Sequence, residues 1–121
     1  MNDSSPPPSL AELAARLAEF ARERDWDQFH APKNLAMALA GEVGELLEHF
    51  QWLNEQQSAN LPLETRDAVA LEMADVLLYL VQLGSVLGID PVAAAQAKLE
   101  RNAQRYPVDK ARGSSRKHDQ L

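Results

Sequence analysis

The chain has 121 residues, 45% of them hydrophobic, no cysteine, and a formal net charge of −6. That length allows one domain with a modest core, and the missing cysteines exclude disulfides, thiolate metal sites and cysteine nucleophiles. Nine acids against one base (Arg66) between Asn34 and Ala97 give a middle of net −8, which argues against non-specific nucleic-acid binding and suits a cation better.

Residues 1–8 (MNDSSPPP) read as a disordered, proline-rich arm with no apolar core of a secretory signal. No apolar run comes near the roughly 20 residues of a membrane span, so a cytoplasmic protein without a membrane partner is expected. Ser9 and Glu12 have capping-box spacing, and Leu10, Leu13, Leu17 and Phe20 follow it as a helical stripe that fades near Arg24. Asp25 to Pro32 (DWDQFHAP) is an aromatic-rich loop, and Pro32 can open the next helix.

The second helix is expected from about Lys33 to Leu53. On a helical wheel Leu35, Leu39, Val43, Leu46 and Phe50 share one side, and Asn34, Glu42, Glu45, His49 and Trp52 line its edge. Gly44 costs about 1 kcal/mol relative to Ala in a helix interior, which suggests that something packs against it. Asn54 to Pro62 is a polar loop without strand pattern. A third helix is expected from Leu63 or Glu64 to about Leu87. Its stretch Val76 to Val81 is apolar all round, which calls for burial on every side and hence for a subunit interface. Glu72, Asp75, Tyr79 and Gln82 share one strip of it.

Gly88 ends that helix as a C-cap, and Asp90-Pro91 starts the fourth, which runs to about Arg105. Lys98, Asn102 and Arg105 fall on one of its faces. The tail, residues 107–121, carries four bases and two acids and no periodicity, and reads as basic and mobile. With no strand-like alternation, the fold class is all-α, with one domain over residues 9–106.

The chemistry centres on Glu42-x-x-Glu45 and Glu72-x-x-Asp75. Each pair lies one turn apart on one helix face. Two like charges about 5 Å apart repel by roughly 3 kcal/mol at an effective dielectric near 20, so four acids at a core edge call for protonation or a metal. Mg²⁺ takes oxygen ligands shared between carboxylates and substrate phosphates. A lone E-x-x-E is usually a solvated face, and Glu55, Glu64 and Asp67 are read that way. Two matching pairs on core-type helices, each with an aromatic on its strip (Trp52 and Tyr79), raise metal binding above even. Trp26 and Trp52 are stacking surfaces for a base or plain packing residues. His30 and His49 read as loop and helix-surface histidines. Lys98, Asn102 and Arg105 could meet phosphates or form an exposed polar face. A di-iron carboxylate bundle wants Glu-x-x-His, and neither pair has it.

These motifs, with Lys98-x-x-x-Asn102, resemble the MazG-like all-α nucleoside triphosphate pyrophosphohydrolases. The stretches Arg24 to Trp52 and Glu72 to Val81 and the ending RYPVDKARGSSRKHDQL look like its dCTP-hydrolysing branch, and the resemblance covers Leu10 to the C-terminus. It implies Mg²⁺-dependent cleavage between the α and β phosphates of dCTP or modified dCTP, in the service of nucleotide-pool sanitation. It implies Glu42, Glu45, Glu72 and Asp75 as metal ligands and Glu45, Glu42 and Glu72 as the catalytic acids, with Glu45 or a neighbour placing the water. Trp26, Trp52 and Tyr79 would line the base and sugar pocket, and Lys98, Asn102 and Arg105 would meet the phosphates. A homotetramer built as a dimer of dimers is the implied assembly. Leu17 stands where the animal dCTP enzymes carry a histidine facing the base, which leaves base selectivity open. Broader hydrolysis of dUTP, dTTP or damaged nucleotides is the alternative, and a non-catalytic helical oligomer is the alternative from another class.

Overall fold

A computed structural model describes residues 6–121. The expected arm falls mostly outside them, and its described part, Pro6 to Pro8, is exposed and belongs to no element. The described residues are all-α. There are four long helices, α1 (Leu10–Glu23), α2 (Pro32–Glu48), α4 (Leu63–Leu87) and α5 (Pro91–Arg105), with short α3 (Glu55–Ala59) between α2 and α4 and α6 (Val108–Ala111) after α5. Single 3₁₀ turns lie at Asp27–Phe29 and His118–Gln120. The Cα packing divides the chain into two compact units, one ending at Ile89 and one spanning Asp90–Leu121.

In the first unit α4 is the spine, and α2 and α1 both pack against it. α1 starts on the Ser9 cap, whose hydroxyl accepts from the Glu12 N–H at 3.2 Å. It ends in a Schellman motif: Trp26 N–H donates to the Ala21 carbonyl at 2.9 Å and Asp25 N–H to Arg22 at 3.1 Å. Asp25 takes the left-handed position at φ 53°, and Gln28 donates to its carbonyl and its carboxylate. The turn folds Trp26 back onto α1, where its ring meets Phe20 edge-on with centroids 5.6 Å apart.

α2 opens on Pro32 and is five residues shorter than the expected end at Leu53: it stops at Glu48, with His49 as a right-handed cap donating to Leu46 and Leu47. The apolar periodicity runs through Leu53, but residues 50–53 bond back as turns, with Phe50 and Gln51 donating to Leu47. The polar stretch after it is a helical turn rather than plain loop. Asn54 and Gln57 form a reciprocal capping box, a signal carried by Asn and Gln in place of the commoner Ser and Glu. Nothing lies within 4 Å of a Cβ built on Gly44, so no neighbour among the described residues requires that glycine.

α4 follows the expected limits and ends on Gly88 in the left-handed conformation at φ 70°, with Ile89 N–H on the Gly84 carbonyl at 2.8 Å. An 18-residue window of it has mean hydropathy 1.6, long and apolar enough to cross a membrane by length and composition. The expectation that no stretch comes near this is corrected: the leucines and valines of α4 outweigh its acids and Gln82 in that mean. Glu72 and Asp75 lie in the helix, and such groups are costly in hydrocarbon. Among the described residues only Ala21, Leu35, Val69 and Val81 are buried apolar side chains, and Leu71, Met73, Leu77 and Leu80 on α4 remain exposed. A single chain therefore does not enclose the all-apolar stretch of α4.

In the second unit Asp90 caps α5, accepting from Val92 and Ala93 N–H. The tail is less featureless than its composition suggested. It forms α6, and Tyr106 and His118 meet edge-on at 5.8 Å.

Candidate active site

The packing of α2 on α4 brings the two acid pairs together. One carboxylate oxygen each from Glu42, Glu45 and Glu72 lies within 4.8 Å of the others. Glu42 and Glu72 are half-buried and Glu45 is exposed. Oε2 of Glu42 and Oε2 of Glu72 are closed off from solvent with no hydrogen-bond donor. An ionised carboxylate in that position lacks compensation. Burial, then the Glu45 carboxylate and Asp75, push Glu42 up to about 7. Glu72 is raised for the same reasons, burial first and Glu45 next. The fourth acid, Asp75, is exposed. It lies outside the tight triplet but close enough to act on both glutamates.

The donor set suits a hard divalent cation: all oxygen, three carboxylates in close reach, and two closed-off oxygens with nothing positive beside them. No basic side chain is among the groups acting on Glu42 and Glu72. Like charges held this close with no basic side chain acting on them are what the sequence spacing anticipated. The partial protonation that the raised Glu42 implies is the other way of relieving them.

Beside the cluster lies a cleft of about 290 Å³ between α1 and α4, lined by Leu17, Phe20, Trp26, His30, Tyr79 and Gln82 and reached by Asp75. An adjoining hollow of about 250 Å³ shares Trp26, His30 and Tyr79 and adds Asn34. Two of the sequence-selected aromatics, Trp26 and Tyr79, thus share one cleft, and Asp75 joins it to the acids. Trp52 does not join them. It lies beyond the end of α2 and is 86% exposed. Lys98 is exposed and Asn102 and Arg105 are half-buried on α5, in the second unit.

Two polar residues that line the cleft, His30 and Gln82, were not selected as site residues from the sequence. His30 was read as a surface histidine, but its Nδ1 is closed off without a partner. Gln82 was placed on the acid strip yet given no role, and it is among the most buried polar residues, 7% exposed. Its membership of that strip was the available signal.

The MazG-like family model matches residues 38–121. Human dCTP pyrophosphatase 1 is 46% identical over 119 residues, covering 97% of this chain and 70% of that protein. The rat protein of the same name is 45% identical with the same coverage, and the bovine one is 44% identical over 116 residues. A crystal structure of a pyrophosphatase from Archaeoglobus fulgidus superposes with a TM-score of 0.75 at 40% identity, covering 88% of this chain and 99% of that one.

Proposed function

This chain belongs to the MazG-like family, and from that premise we propose that it is a nucleoside triphosphate pyrophosphohydrolase acting on dCTP or a base-modified dCTP. The products are the monophosphate and pyrophosphate, and the role is sanitation of the nucleotide pool in the cytoplasm. The observation that carries the reading is the pair of closed-off, unpartnered carboxylate oxygens of Glu42 and Glu72, facing a cluster that opens through Asp75 into an aromatic cleft.

Glu42, Glu45, Glu72 and Asp75 would hold Mg²⁺. Bound there, the ion supplies charge neutralisation and polarisation of the phosphoryl group. Glu45, the exposed member of the triplet, orients a water and takes its proton. The water oxygen bonds to the α-phosphorus, the α–β bridging bond breaks, and pyrophosphate leaves with the electron pair. Trp26 and Tyr79 give the base flat apolar surfaces, and stacking of this kind is worth about 1–3 kcal/mol per base. Lys98, Asn102 and Arg105 are proposed phosphate ligands on the strength of the Lys98-x-x-x-Asn102 motif. The exposed apolar residues of α2 and α4, among them Leu47, Leu71 and Leu77, support assembly into a homotetramer, in which Trp52 would gain a neighbour.

A broader reading, with dUTP or dTTP as further substrates, is favoured by Leu17, which places an apolar side chain in the cleft. The non-catalytic oligomer is disfavoured, because acids that only solvate a surface would not leave two oxygens closed off. A panel of nucleoside triphosphates with Mg²⁺, scored separately for pyrophosphate and orthophosphate, tests the proposal. Pyrophosphate release from a pyrimidine deoxynucleotide is expected. Orthophosphate release, or no turnover of any triphosphate, would sink it.

A further inference from the structure

Gln82 is 7% exposed and lines the cleft opposite Leu17 and Phe20 of α1. Its carboxamide is not among the closed-off, unpartnered polar groups of the described residues, so the little exposure that the residue keeps leaves the amide reachable from the cleft it lines. An amide set among apolar and aromatic side chains gains from a polar partner, and the cleft is where a ligand can bring one. Gln82 also continues the strip of α4 that carries Glu72, Asp75 and Tyr79. From Asp75 to Gln82 is about 10 Å along the axis at 1.5 Å per residue. That span leaves room for a sugar between phosphates at the acids and a base at Gln82, with Tyr79 alongside.

A carboxamide offers a donor and an acceptor side by side. The pairing edge of a pyrimidine does the same. Cytosine has its N4 amino donor next to the N3 acceptor, and uracil or thymine has an O4 acceptor next to the N3–H donor. A half-turn about the terminal torsion of glutamine, which is broad and roughly two-fold, matches the amide to either order. Leu17, which lines the same cleft, has no polar atom to hold it in one orientation. We propose that Gln82 is a specificity-determining residue that reads the pyrimidine pairing edge with both amide atoms. Because its amide can turn, it accepts cytosine and uracil deoxynucleotides in comparable measure. The inference rests on the hydrolase reading above and specifies its substrate class.

The test uses the full chain with Mg²⁺ and four substrates: dCTP, dUTP, the triphosphate of 2′-deoxyribosyl pyrimidin-2-one, and 2-deoxyribose 5-triphosphate, which has no base. In the wild type, dCTP and dUTP are expected within about ten-fold in kcat/KM, and the pyrimidinone, lacking the 4-substituent, about ten-fold below dCTP. Gln82→Met keeps length and volume but no amide. It is expected to lower kcat/KM for dCTP and dUTP alike by about 10- to 100-fold, mostly through KM, and to erase the penalty on the pyrimidinone. Turnover of the base-free triphosphate should not change. An equal loss on the base-free substrate would show Gln82 to be structural and overturn the proposal. So would a wild-type preference of 10³ or more between dCTP and dUTP. The pyrimidinone comparison needs no variant, so it decides the point even if Gln82→Met misfolds. No turnover of any triphosphate by the wild type would remove the hydrolase reading, and this inference with it.

Discussion

Glu42 and Glu45 on α2 and Glu72 and Asp75 on α4 start from the same three-residue spacing, and the two helices part company one turn later. α2 stops at Glu48, so the next aromatic on its strip, Trp52, stands out in solvent. α4 continues to Leu87, so the same strip carries Tyr79 and Gln82 into a cleft. A repeated motif therefore produces a cluster where the helices cross, but beyond the acids the strip continues into the cleft on α4 alone. What separates the two is where each helix ends, and the ends differ as well: a left-handed glycine on α4, a right-handed histidine on α2.

The largest expected effect falls on what the helices share. Glu72→Ala and Glu42→Ala should each lower turnover by about 10³-fold, the scale of losing a preorganised electrostatic contact, with helical circular dichroism retained. A large difference between them in a steady-state assay would show that one helix alone holds the cation. The next contrast is between the aromatics. Tyr79→Ala should reduce kcat/KM for dCTP by about 10- to 100-fold, as expected for a lost stacking surface, and Trp52→Ala by clearly less. An equal loss at Trp52 would mean that a neighbouring subunit carries it to a base.

The helix ends give a smaller contrast. Gly88→Ala forces a side chain into the left-handed region and should cost about 1 kcal/mol, read as a lower Tm. His49→Ala, at a right-handed cap, should stay within about 0.5 kcal/mol of the wild type. The smallest effect is on pH. The Glu42 carboxyl, raised from an ordinary 4.5 to about 7, keeps a proton in the folded protein that the unfolded chain has already lost. Stability of the metal-free protein should therefore fall as pH rises between those values. A Tm series across that window should show the slope in the wild type and a flatter one in Glu42→Gln, and added Mg²⁺ should offset the fall.

Much of this was legible in the sequence. Ser9, Pro32, Gly88 and Asp90-Pro91 mark helix limits through local backbone chemistry, and the described helices follow them. The acid cluster was legible because a three-residue spacing on a helix needs no tertiary information. The end of α2 was not, because apolar periodicity continues through residues 50–53 while the hydrogen bonds there turn back on Leu47. α3 was missed because Asn54 and Gln57 form a capping box in a stretch whose composition reads as loop. Gln82 was placed on the right strip, but its burial depends on α1 closing over it, and periodicity within one helix cannot report that.

The exposed apolar faces have one more consequence. Met37 on α2 is 64% exposed and Met73, between Glu72 and Asp75 in sequence, is 58% exposed, in a chain that contains no thiol. Peroxide thus meets thioethers rather than cysteines, and each sulfoxide turns a soft apolar side chain into a polar one. Such damage wets the surface on which chains would assemble while leaving every backbone bond of the helices in place, and it is of a kind that methionine sulfoxide reductases reverse.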